Sequence, residues 1–209
     1  MKTSKSRAPG SGRARRRVPG VAAHRHLLDA AAELFHRDGV RAVGVDAVVK
    51  RAGVNKMSLY RQFASKDELV AAYLRHKDEE FWQRWEAGAA RHPGDPRRQL
   101  LQIVADLAER LSAPDCRGCP FVNVAAEFPD PNHPVRRLVA ANKAVLHERL
   151  AALAAAAGAA DPAWLAHALA LLIEGAFAAS QTHGPGRGPV AVLPELAERL
   201  IAAALERGP

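Results

Sequence analysis

The stretch Val45–Phe63, VDAVVKRAGVNKMSLYRQF, leaves this chain little choice in how it folds locally. Val45, Val48, Val49 and Ala52 recur at i, i+3, i+4 and i+7, the spacing of one apolar helix face. Gly53 stands just after them, where a left-handed residue closes a helix without a Cβ clash. Val54 turns inward and Asn55 suits the N-cap of a second helix. That second helix buries Leu59 and Phe63, four positions apart. Its other face then shows Lys56, Ser58, Tyr60, Arg61 and Gln62. The face carries donors and an aromatic hydroxyl, and none of its own residues is a carboxylate. A helix of that character suits the major groove of DNA, with phosphates at the rim and base edges at the floor.

The distribution of charge agrees. The net charge is +8, with +7 on residues 1–20, +3 on residues 21–64 and −2 on residues 65–209. Attraction for polyanions therefore belongs to the first third of the chain, and the remainder has some other task. Residues 1–20 have almost no apolar side chains and are expected to be disordered in isolation. They are either a solubilising tail or an arm that lies along phosphates or in the minor groove through Arg13, Arg15, Arg16 and Arg17. Pro9, Gly10 and Gly12 follow the basic start where a secretory signal needs an apolar run. His167 and Glu174 interrupt the most apolar late stretch, so no membrane span is expected and the cytoplasm is the expected location.

The periodicity predicts an all-α chain of about nine helices. The first runs from about Val21 to His36 with Leu27, Ala31, Leu34 and Phe35 inward, and Gly39 ends it. Gly44 opens the first helix of the pair described above. Ser65, with Glu68 three residues on, is close to a capping box and starts a long helix from Lys66 to about Ala90. Further helices are expected at about Pro96–Ser112, Phe121–Phe128, Val135–Ala157, Pro162–Gln181 and Pro194–Arg207, with a glycine- and proline-rich loop at His183–Pro189. The last two helices are alanine-rich and apolar, which points to a homodimer interface, a four-helix bundle across a two-fold axis.

The set Leu28-Asp29-Ala30-Ala31-Ala32-Glu33-Leu34-Phe35 with Gly39, Val48-Val49-Lys50-Arg51-Ala52-Gly53-Val54, Ser58-Leu59-Tyr60-Arg61-Gln62-Phe63 and Ser65-Lys66-Asp67-Glu68-Leu69 resembles the TetR family of bacterial transcriptional regulators. It covers about a quarter of the chain. Gly44 departs from the Ser or Thr usual there, and Met57 from a small residue or proline. The resemblance implies a DNA-binding head at residues 21–65 and a ligand-binding and dimerisation body at residues 66–209. It implies a ligand-responsive regulator, most simply a repressor on a palindromic DNA operator, with a small-molecule effector as second partner. Lys56, Ser58 and Arg61 are the base-reading candidates. Tyr60, Gln62, Lys66 and the backbone at Gly44 are the phosphate candidates, beside Arg15, Arg16 and Arg17 of the arm.

The family's effector pocket lies among the central helices, and Phe121, Asn123 and Glu127 are the leading candidates to line it here. Trp82, Trp85, His133 and Phe177 stand behind them, giving the apolar lining and few polar groups such a site needs. Cys116 and Cys119 read first as ordinary reduced thiols, next as a redox pair, and last as metal ligands, for which two further residues are missing nearby. A thiol-based redox-sensing regulator working through Cys116 and Cys119 and a sequence-neutral DNA-binding protein are the alternative functions. No cofactor is implied. An enzyme is not expected: Glu33-Leu34-Phe35-His36 is the only Glu-x-x-His pair that fits a di-iron bundle, and no phosphate-binding glycine loop or serine elbow occurs.

Overall fold

The computed structural model describes residues 20–206. The basic arm, with Arg13, Arg15, Arg16 and Arg17, lies outside the described residues. Among those described there are nine α-helices and no strand: α1 Gly20–Asp38, α2 Val45–Ala52, α3 Lys56–Gln62, α4 Lys66–Ala89, α5 Pro96–Leu111, α6 Pro120–Glu127, α7 Pro134–Ala156, α8 Pro162–His183 and α9 Leu193–Glu206. A short 3-10 turn at Gly188–Val192 precedes α9, starting at the end of the loop expected at His183–Pro189 and running past it. Its Val190 is buried, which anchors the glycine-rich connection.

The ends of these helices follow local chemistry. Gly53 takes φ 67°, its N–H reaches Lys50 O, and the Val54 N–H reaches Val49 O. This is the paired closure that only a left-handed residue permits, and it sets the angle between α2 and α3. Asn55 accepts from the Ser58 N–H at 2.8 Å and caps α3. Ser65 accepts from the Glu68 N–H at 3.1 Å, while Glu68 reaches back to the Ala64 N–H at 2.5 Å. Asp95 and Asp161 cap α5 and α8, each with proline next in the chain.

Two apolar clusters hold the chain together. One unites α1, α2 and α3 with the first turns of α4 (Leu69, Val70, Tyr73, Leu74) and with Cys119, Phe121, Val124, Val135 and Val139 from α6 and the start of α7. The boundary anticipated at residue 65 thus falls inside a single packed core. The other gathers α5, the C-terminal part of α4, and α7, α8 and α9. α8 is long and apolar enough in composition to cross a membrane, contrary to the expectation that His167 and Glu174 would interrupt it. Leu165, Leu169 and Ile173 pack inward, while Trp164 and Leu171 on the same helix are exposed, Leu171 by 73%.

Candidate functional site

α3 stands proud of the head. Leu59 is fully buried and Phe63 nearly so, which pins one side of the helix and turns the other outward. Arg61 and Tyr60 are exposed, Gln62 and Ser58 half-buried. Arg61 makes no ion pair among the described residues, whereas Lys56 sits 3.0 Å from the Asp46 carboxylate of α2, which raises its pKa above the ordinary lysine value. Lys56 can approach a base only by leaving Asp46. The Ser58 hydroxyl donates to Asn55 Oδ1 at 3.0 Å, so it too has an internal partner. Gly44 caps α2 with backbone alone, at φ −80°, and a Cβ there meets nothing within 4 Å. Lys66, at the first position of α4, is half-buried; burial lowers its pKa, against the pull of the Glu127 and Asp67 carboxylates. Arg51 on α2 is held back by Glu33 of α1 at 2.6 Å.

A cavity of about 590 Å³ lies where the head meets the body. Its walls come from α1 (Ala32, Glu33, His36, Arg37), α4 (Lys77, Glu80, Phe81, Arg84, Trp85), α5 (Ile103, Asp106, Leu107, Arg110), the Pro114–Cys119 loop with Pro120 and Phe121, α7 (Asn142, Lys143, Leu146) and α8 (Ile173, Phe177). The volume is that of a site for a drug-sized molecule. Most of its charges are already matched. Lys77 pairs with Glu80 at 2.9 Å, Arg110 with Asp115 at 3.1 Å, Lys143 with Glu174 at 3.0 Å, and Asp106 with Arg91.

Of the candidates named for this pocket, Phe121, Trp85 and Phe177 line it; Asn123, Glu127, Trp82 and His133 do not. Each of the four has another task. Asn123 donates to Arg117 O at 2.7 Å and accepts from Gln181 at 3.3 Å, fixing the loop before α6 to α8. Trp82 is half-buried against the second apolar cluster, edge-on to Phe81 and Trp85, with the Arg149 guanidinium 4.1 Å from its ring centre. His133 caps α7 through Nδ1, faces Asp67 at 3.3 Å through Nε2 and packs on Phe128. Glu127 accepts from the Val40 N–H at 2.9 Å and the Arg41 N–H at 2.5 Å, so α6 grips the turn between α1 and α2. Residues not foreseen include His36, Lys77, Phe81 and Arg84. The last three recur on one face of α4 at spacings of three and four, a signal the sequence did contain.

Cys116 and Cys119 are both free thiols on the cavity wall, Cys119 buried and Cys116 half-buried. Lys143 Nζ lies 3.8 Å from Cys119 Sγ. Among the described residues no group of three or more potential metal ligands is brought together.

Comparison with known proteins places this arrangement. The family model for bacterial regulatory proteins of the tetR family matches residues 27–73, and that for the tetracyclin repressor-like C-terminal domain matches residues 94–192. A TetR-family transcriptional regulator from Streptomyces coelicolor is 30% identical, with 89% of this chain and 95% of that one aligned at a TM-score of 0.80. A putative regulator of the same kind from Streptomyces avermitilis is 35% identical, with 87% and 97% covered and a TM-score of 0.76. The transcriptional activator FasR of Mycolicibacterium smegmatis is 44% identical over 73 residues, 34% of this chain and 33% of its own. The chain spans about a third of the length of that curated relative. The three-helix head, the nine-helix order and both family matches agree: the chain belongs to the TetR family of bacterial transcriptional regulators.

Proposed function

We propose that this regulator binds a palindromic operator as a homodimer, represses the genes beside it, and lets go when a small molecule enters the cavity between head and body. The observation that carries the reading is the make-up of the cavity wall. α1 of the head supplies Ala32, Glu33, His36 and Arg37, and five body helices with the Pro114–Cys119 loop supply the rest. A ligand there contacts both units, so its affinity can differ between two head arrangements, which is the only way a ligand shifts such an equilibrium.

In this reading residues 21–65 read DNA, residues 66–209 bind ligand and dimerise, and the arm at residues 1–20 adds affinity and salt dependence. Arg61, Lys56 and Ser58 face base edges; Tyr60, Gln62, Lys66 and the Gly44 backbone face phosphates. Trp164 and Leu171 of α8, Val192, and Leu196 of α9 are exposed apolar side chains that a second copy of the chain would cover. That contact also explains an apolar helix without a membrane, and the protein acts in the cytoplasm, where its DNA is.

The test is made in the host. DNA bound by the protein is recovered from cells, and transcription beside those sites is compared with and without the gene. Repression predicts that transcripts rise when the gene is deleted. A fall would make the protein an activator, as FasR is described, and would leave the DNA and ligand readings standing. A thiol-sensing version of the same switch is favoured by one contact, the Lys143 ammonium against the Cys119 sulfur in the cavity wall. It predicts that Cys119→Ser abolishes release by a thiol-directed electrophile such as N-ethylmaleimide and leaves release by non-reactive ligands intact.

A further inference from the structure

The side chains of α3 do not face outward equally. With Leu59 pointing into the core, an advance of about 100° per residue sets Met57 and Arg61 about 160° away from it, one on each side. These two form the crest of the helix. Tyr60 is turned about 100° from Leu59 and Gln62 only about 60°, and the Gln62 amide lies back beside Gly20 of α1. Met57 is 64% exposed and Tyr60 48%.

The residues on either side of Met57 are engaged within the head. Lys56 lies 3.0 Å from the Asp46 carboxylate, and the Ser58 hydroxyl donates to Asn55 Oδ1 at 3.0 Å. The crest therefore presents two free groups: the Arg61 guanidinium, without an ion pair among the described residues, and the Met57 thioether chain. A single exposed apolar side chain is ordinary on a protein surface. The place of this one is what matters. A side chain on the crest of a helix that enters the major groove meets base edges, and the apolar group displayed there is the C5-methyl of thymine. An unbranched methionine has the reach and the adaptable shape to cover such a methyl, and its sulfur is too weak an acceptor to select a base by hydrogen bonding.

We infer that Met57 reads a thymine methyl and chooses a base beside the one chosen by Arg61. This rests on the proposed function, in which α3 enters the groove, and gives that helix a second specificity-determining residue. Arg61 is one turn further on, about 6 Å along the helix axis. Successive base pairs are about 3.4 Å apart, so the thymine lies within about three base pairs of the position that Arg61 selects. In a palindrome it occurs once in each half-site.

The test uses the full chain and the duplex selected from random DNA, with each thymine replaced in turn by deoxyuridine, which lacks only the methyl. Parent affinity should fall about fourfold at one thymine per half-site, the worth of burying one methyl group. Met57→Ala should bind the thymine duplex about as weakly as the parent binds the uracil duplex, and should be indifferent to the replacement. Met57→Leu, which keeps an apolar reach, should retain most of the discrimination. Because Met57 is exposed, both variants should melt with the parent.

Uracil tolerated by the parent at every thymine overturns the role of Met57 and leaves the wider reading of α3 standing. The same uracil penalty in Met57→Ala as in the parent does so too, since the methyl is then read by another residue. A Met57-dependent thymine farther than about three base pairs from the Arg61 position overturns the shared crest. Selection that recovers no motif removes the DNA-reading proposal itself, and this inference falls with it.

Discussion

Glu127→Ala removes the grip of α6 on the head, and its cost can be worked from the contacts. The carboxylate accepts two backbone N–H groups, from Val40 at 2.9 Å and from Arg41 at 2.5 Å. Val40 is 2% exposed, so its N–H loses a partner that water replaces poorly; leaving such a donor unmet costs roughly 1–3 kcal/mol. The Arg41 side is exposed, water substitutes there, and the charged hydrogen bond contributes about 1 kcal/mol. The expected loss is therefore about 2–4 kcal/mol in all. Glu127→Gln keeps one acceptor but turns an amide N–H toward the other donor, so it should lose about half as much. Urea unfolding measures the loss, and hydrogen exchange at the Val40 and Arg41 amides locates it. Both variants within about 0.5 kcal/mol of the parent, with those amides still protected, would refute the argument.

The other predictions concern the head, the interface and pH. Gly53→Ala should cost about 1 kcal/mol in unfolding free energy, all of it backbone, because φ is 67° and a Cβ meets nothing within 4 Å; a loss near zero would mean the α2–α3 turn relaxes freely. Arg61→Ala should lose roughly 1–3 kcal/mol of operator affinity and relax one base position, measured by titrating duplexes with single substitutions; uniform weakening on every duplex would make Arg61 a phosphate contact. Leu171→Glu should convert the proposed dimer to monomer in sedimentation, since its 73% exposure in the single chain is what a partner would cover; a variant that sediments as a dimer removes α8 from the interface. His36 should make stability fall in acid. Its folded pKa lies below the 6.5 of the unfolded chain, so the unfolded state binds the extra proton, and stability present above about pH 6.5 is lost as pH falls toward the folded pKa. Subtracting the curve of His36→Gln should flatten that window, and no difference between the curves would contradict it.

The local signals were legible because they act over few residues. Gly53, Asn55, Ser65 with Glu68, and the prolines opening α5, α6, α7 and α8 mark element ends through contacts within one turn. The pocket was legible only in part, for a physical reason. Phe121 and Trp85 are large and apolar, and burial follows from that. Glu127 looks in the sequence like a polar group aimed from a short helix into a pocket, yet its partners, Val40 and Arg41, are 87 and 86 positions away. Trp82 and Trp85 are one turn apart on α4, and only packing against α7 decides that Trp82 stacks under Arg149 while Trp85 faces the cavity. The carboxylate that pairs with Lys56 belongs to α2, so a reading of α3 alone shows an acid-free face and misses the partner beside it.

The central claim is that α3 reads a defined sequence as one half of a symmetric pair. Selection of bound fragments from random duplex DNA at about physiological salt, followed by sequencing, tests it most directly. The account predicts a palindromic motif with half-site centres about one DNA turn, or a multiple of it, apart. Recovery of fragments without any enriched motif, lost evenly as salt rises, would contradict it and leave a basic protein that binds DNA without reading it.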